Sequence, residues 1–236
     1  MTLEELYNDI EKIRAIQNCR NCFGVYKAPG AHTSYWELLG EWANREDDIF
    51  AATWGTYLGK SGVVNCYIKD HGDVTDPKLI KEAQEAAAAG KTTGGYLIVH
   101  HHAGDRIIVA EDGKTARMLT YATGNEIFPS EDGGTGHWVF IHYGVDFVRD
   151  ADNKWRIWHA RLIPGGLCME GHCWTELDPE VCMWGELPSE MEEASEVAYE
   201  QYKYNPEATY PVNYPEINEM YRTFGDLAPG YGVDIF

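Results

Sequence analysis

His100, His101 and His102 stand consecutively in a run of apolar and β-branched residues. In an extended strand successive side chains point to opposite faces, so His100 and His102 share one face and His101 takes the other. An imidazole titrates near neutral pH, and apolar surroundings drive it toward its neutral, basic form, which makes His100 or His102 a candidate to remove a proton from a substrate. In a later strand-like run, Tyr143 shares parity with Val145 and Phe147, and its phenol could donate to a substrate oxygen. Strict alternation in the last such run groups Trp155, Ile157, His159 and Arg161 on one face. His159 is then a second candidate acid or base. The Arg161 guanidinium, a permanent cation, could stabilise an enolate or phenolate in a transition state, provided a carboxylate or the ligand balances its charge. Tyr26, Trp54, Tyr57 and Phe128 are candidate substrate-binding walls. Every one of these residue types also has an ordinary use in a core or at a sheet edge.

The elements that must position these side chains follow from pattern. Thr2 followed by Glu5 reads as a capping box, and Leu3, Leu6, Tyr7, Ile10, Ile13 and Ile16 recur at helical spacing, so a helix is expected over about 3–23. Gly24, Pro29 and Gly30 break it before a shorter segment with Tyr35, Trp36, Leu38, Leu39 and Trp42. A short strand over 48–54, a small helix over 59–70 and an alanine-rich helix over 77–89 follow. From residue 96 the period becomes strand-like, with strands expected over 96–110, 115–128, 137–149 and 155–163. Asp112-Gly113 suits a type I′ hairpin turn, whose central residues need positive φ. Four strands joined by short turns make an antiparallel meander, and helices before a meander give an α+β layer architecture. In the third strand His142 and Asp146 face away from Tyr143 and could pair. Beyond Pro164 the pattern is lost. Residues 164–236 hold many prolines and tyrosines, which suits an extension packed on the same domain or on a neighbouring subunit.

With 236 residues and 44% hydrophobic content the chain can bury a core. A net charge of −19 argues against nucleic acid and anionic membranes, which bind basic surfaces. No apolar run is long enough for a membrane helix, and the acidic start does not read as a signal peptide, so a cytoplasmic location is expected. Neither a dinucleotide fingerprint nor a P-loop is present, and no cofactor is expected. Metal is not expected either. Alternation splits the three histidines, Cys19 and Cys22 sit at helical spacing that suits core packing, and the spacing of Cys168, His172, Cys173 and Cys182 is irregular for zinc.

Three local patterns carry a resemblance: the first helix leading through Tyr35-Trp36 to Asp47-Asp48; a histidine-bearing strand before Asp112-Gly113 and Thr115-Ala116; and the segment YGVDFVR at 143–149, a turn, and KWRI at 154–157. Over residues 3–163 the chain resembles the SnoaL-like, nuclear-transport-factor-2-like superfamily. The resemblance implies a curved antiparallel sheet forming a cone closed by N-terminal helices (residues 1–163), with 164–236 as an aromatic-rich extension. It implies that His100 or His102 and the Trp155-to-Arg161 face point into the cone, and that the protein is a homo-oligomer. Relatives include cofactor-independent dehydratases, isomerases, cyclases and lyases, as well as binding modules. In several of the enzymes an aspartate near the end of the first helix pairs with the strand histidine; Val25 stands at that place here. The reading is a cofactor-independent lyase, dehydratase or isomerase acting on a small apolar or aromatic hydroxy or carbonyl compound. The alternative is a non-catalytic binding domain of the same fold.

Overall fold

Thr2 and Glu5 start the first helix by exchanging hydrogen bonds. The Thr2 amide donates to the Glu5 carboxylate at 2.6 Å, and the Glu5 amide donates to Thr2 Oγ1 at 3.1 Å. This reciprocal cap satisfies amides that the helix leaves without partners. Helix α1 then spans Leu3–Tyr26. The computed structural model describes residues 1–26, 40–52, 55–66, 81, 84–85, 88–90, 97–128, 135–173 and 182–183. The expected segment with Tyr35 and Trp36, most of the alanine-rich helix, and nearly all of 174–236 lie outside the described residues.

Where one strand was expected over 48–54, the chain forms an antiparallel hairpin of β1 (Ile49–Ala52) and β2 (Gly55–Leu58). Helix α2 (Gly59–Asn65) follows. The meander consists of β3 (Leu97–Val109), β4 (Thr115–Phe128), β5 (Thr135–Arg149) and β6 (Trp155–Met169), and the short β7 (Cys182–Met183) pairs with β6. Along the sheet the order is β2-β1-β6-β5-β4-β3. β1 runs parallel to β6, with Ile49 opposite His159 and Ala51 opposite Arg161, so the sheet is mixed rather than antiparallel throughout. Hairpin turns dictate only the pairing of consecutive strands, and a parallel pair needs a long connection that no turn motif reveals.

β6 does not end at Ile163. It continues through Pro164, which pairs with Ile141 beside a register shift. A bulge tolerates the amide that proline lacks, so the ladder survives there and the sheet extends past residue 163.

One face of the sheet carries both helices. Cys19, Cys22 and Phe23 of α1 and Val63 of α2 join a core with Met118, Val139, Val145, Phe147 and Ile157. The Cys19 and Cys22 thiols are pushed well above the ordinary range by burial, and Cys22 donates to the Glu41 carbonyl at 3.6 Å. They pack the core. Among the described residues no helix is long and apolar enough to cross a membrane.

Two bulges decide which polar side chains face the helices. In β3 the register shifts between Ala103 and Arg106, where Gly104 takes a φ of 72°, a conformation open to glycine at little cost. Val109 and Ile107 face the core on one side of this bulge, and His102 and His100 face it on the other. In β6 the register steps from Asp146 opposite His159 to Phe147 opposite Ile157, leaving Trp158 unopposed. Trp155 and Ile157 face the helices, as does Ala160, while His159 lies on the opposite face beside Asp146. The expected grouping of His159 and Arg161 with Trp155 and Ile157 is therefore corrected, because one extra residue in the strand inverts the alternation.

Candidate functional site

On the helix-bearing face, β3, β4 and β5 bring His100, Glu126 and Tyr143 into one line. His100 Nε2 lies 2.7 Å from Glu126 Oε1, and the Tyr143 hydroxyl lies 3.4 Å from His100 Nδ1. The His100 and Glu126 side chains are 5% and 12% exposed, and Tyr143 is fully buried. The His102 ring stands 5.3 Å from the Tyr143 ring, and Phe23 of α1 meets both edge-on, at 5.1 and 5.7 Å. His101 is exposed on the other face.

Helix α1 is fixed over this group by a polar clamp. Asp105, presented by the β3 bulge, accepts from Arg20 Nε at 3.2 Å and from Thr120 Oγ1 at 2.6 Å. Thr120 is the cross-strand partner of Tyr143, so the clamp closes beside the candidate site.

His159 and Arg161 belong to a second polar group on the opposite face. The Asp146 carboxylate accepts from Arg117 at 2.8 Å (Nε) and 3.3 Å (Nη2), and its Oδ2 lies 3.1 Å from His159 Nδ1. His159 Nε2 lies 3.1 Å from the Asp47 backbone carbonyl, so both of its ring nitrogens are engaged. Asp146 therefore pairs with Arg117 and His159 rather than with His142, whose ring meets those of Tyr121 and Phe140 at 4.7 and 5.3 Å. The Trp158 ring stacks on His159 at 4.0 Å, with the Arg45 guanidinium over Trp158 at 5.1 Å. Burial alone would raise the Asp146 carboxyl, but the His159 hydrogen bond and the Arg117 charge hold it below the usual range. Asp48 behaves oppositely: burial pushes its carboxyl up to about 7.

Of the candidate walls, Tyr57 is fully buried with its ring 6.1 Å from Phe50. Trp54 and the side chains of Tyr26 and Phe128 lie outside the described residues. Among the described residues no three His, Cys, Asp or Glu side chains gather as a metal site would require.

Glu126 was not singled out from the sequence. Its signal was a lone carboxylate in an otherwise uncharged strand stretch, between Asn125 and Ile127.

Residues 47–161 match the family model of the SnoaL-like domain. This segment is a SnoaL-like domain. It runs from the turn before β1 to Arg161 and contains His100, Glu126, Tyr143 and the whole Arg117–Asp146–His159 group, while α1 with Phe23 precedes it. The chain is also similar to solved structures, among them the following two. A hexachlorocyclohexane dehydrochlorinase of Novosphingobium barchaimii has 14% identity and a TM-score of 0.45, covering 71% of this chain and 95% of its own. A ketosteroid isomerase-like protein of Erwinia carotovora atroseptica has 9% identity and a TM-score of 0.43, covering 63% of this chain and 94% of its own. No curated protein matches the chain.

Proposed function

We propose that the SnoaL-like domain moves protons on a small apolar or aromatic hydroxy or carbonyl compound, as a lyase, dehydratase or isomerase whose acid–base groups come from its own side chains. The observation that carries this reading is the line Glu126–His100–Tyr143, buried on the helix-bearing face. His100 Nδ1 takes the proton from a carbon next to a carbonyl, and Tyr143 donates its phenolic proton to the substrate oxygen. In an elimination the C–H electron pair forms the new double bond, the C–O bond breaks, and the hydroxyl leaves with the Tyr143 proton as water. The proton on Nδ1 then passes to the phenolate across their 3.4 Å contact, which resets both groups. In an isomerisation His100 returns the proton to another carbon. His102, against the Tyr143 ring, lies at the same wall. α1, held by Arg20–Asp105, closes this end of a cone in the proposed arrangement. His159 and Arg161 have no part in the proton transfer, because they sit on the other face with Asp146 and Ala51.

One observation favours the second reading, a binding domain without catalysis: Phe23 seals Tyr143 and His102 by ring contact. The two are separated by incubating the protein with a panel of aryl ketones and β-hydroxy ketones in D₂O, following deuterium incorporation and loss of water by NMR and mass spectrometry. Catalysis requires exchange or elimination that is lost in His100→Gln, reduced in Tyr143→Phe and kept in His101→Ala. Ligand-induced thermal stabilisation without any exchange supports the binding domain. Exchange unaffected by His100→Gln overturns the assignment of the base.

A further inference from the structure

Building on the proton-transfer reading above, we infer that Glu126 is the positioning residue of His100: it holds the imidazole as the Nε2–H tautomer and so makes Nδ1 the proton-accepting atom.

The register produces this contact. Glu126 is the direct cross-strand partner of Ile98, which places it on the diagonal from His100 on the same face of the ladder. The direct partner of His100 is Gly124. With no side chain at Gly124, nothing from β4 stands between the imidazole and the longer Glu126 chain. The two side chains meet at 2.7 Å, short for an N–H···O bond and in the range of a charge-assisted one.

Chemistry then fixes the protons. A carboxylate only accepts, so Nε2 must donate to Glu126. In the neutral ring the lone pair is then on Nδ1, the nitrogen 3.4 Å from the Tyr143 hydroxyl, and the phenol donates to it. A 180° turn of the ring would replace both contacts with carbon, so the two partners lock orientation as well as tautomer. When Nδ1 takes a proton the ring becomes a buried cation, and the adjacent Glu126 charge offsets the cost of holding it away from water. The carboxylate that balances this charge is thereby supplied from strand β4.

Two substitutions divide the role. Glu126→Gln keeps an oxygen that accepts from Nε2 but removes the charge; Glu126→Ala removes both. Histidine-selective ¹⁵N labelling reports the tautomer without any substrate, with the His100 signals assigned by their absence in His100→Gln. The wild type should show Nε2–H and an Nδ1 lone pair at alkaline pH. Glu126→Gln should keep that tautomer while its His100 titration moves to lower pH, and Glu126→Ala should give a mixture of tautomers. Circular dichroism of the conservative Gln variant controls for folding. Deuterium exchange into the ketone panel should fall by roughly tenfold or more in Glu126→Gln, part of the about 10²–10⁴ that a general base contributes. An unchanged tautomer in Glu126→Ala together with an unchanged titration in Glu126→Gln overturns the role of Glu126. If the NMR results hold but the wild type exchanges no ketone, Glu126 orients His100 and the catalytic reading is what fails.

Discussion

Asp146 lies directly across the β5–β6 ladder from His159, with Oδ2 3.1 Å from His159 Nδ1. The other ring nitrogen faces the Asp47 carbonyl, so filling both hydrogen bonds at once takes a proton on each nitrogen. Arg117 approaches the same carboxylate from β4, and all three side chains are buried. The group ties three strands together and anchors the turn that leads into β1.

Removing the carboxylate leaves the buried Arg117 guanidinium without its counter-charge and His159 Nδ1 without its partner. Asp146→Ala should cost roughly 3–5 kcal/mol, the range for breaking one side of a buried pair, as measured by urea unfolding at pH 7. A loss below about 1 kcal/mol would mean that the network contributes no more than a surface pair. The pH dependence has a definite direction. Because the folded Asp146 carboxyl lies below its ordinary range, the folded state resists protonation where the unfolded chain accepts it. Its contribution is complete above pH about 4 and is lost as pH falls through the folded value. The acid limb of the wild-type stability curve should therefore be steeper than that of Asp146→Ala.

Asp48 makes the opposite prediction nearby. Its Oδ2 accepts the Arg45 amide at 3.0 Å, while Oδ1 is buried and accepts no hydrogen bond among the described residues. Burial raises the folded carboxyl to about 7, against backbone hydrogen bonds from Arg45 and Asn44 that lower it. Between about pH 4, the unfolded value, and the folded value, the folded state binds more protons, so this group makes stability fall as pH rises and level off above it. Asp48→Asn keeps an acceptor for Arg45 and has nothing to titrate. It should flatten the stability profile across that window, read from urea midpoints at pH 5, 6, 7 and 8. Identical slopes for the variant and the wild type would show that Asp48 is already charged across the window.

The meander, the capping box and the shared face of His100 and His102 were all legible from turn chemistry and two periodicities. The register was not. Counting straight from the Asp112-Gly113 turn, Val109 meets Ala116 and His100 would meet Asn125, which would turn His100 away from the helices while Glu126, in step with Ala116 and Met118, still faced them. Only the bulge at Gly104 brings His100 opposite Gly124 and puts Glu126 within reach. In β6 the same kind of defect had the reverse effect: Trp158, an ordinary strand residue by composition, bulges and turns His159 and Arg161 to the other face. A bulge shifts parity without a reliable residue signature, so alternation holds only up to the nearest one. The β1–β6 pairing was hidden for a different reason, since its partners are far apart in sequence.

Gly124 tests whether that register is as tight as the site requires. A Cβ built there collides with the Val99 carbonyl oxygen and comes within 3.0 Å of the His100 Cα, both backbone atoms that cannot swing aside. Gly124→Ala must therefore push β3 away from β4 at the point where His100 reaches Glu126. The overpacking should cost about 1–3 kcal/mol in thermal or urea unfolding. The displacement should also loosen the 2.7 Å contact, so the His100 ¹⁵N signals should move toward those of Glu126→Ala although Glu126 itself is intact. Gly113, whose Cβ would meet nothing within 4 Å but whose φ is 66°, is the control, because Gly113→Ala strains only the turn. If Gly124→Ala loses stability and leaves the His100 signals in place, β3 and β4 separate without disturbing the pair. The diagonal contact then owes nothing to the close approach at Gly124.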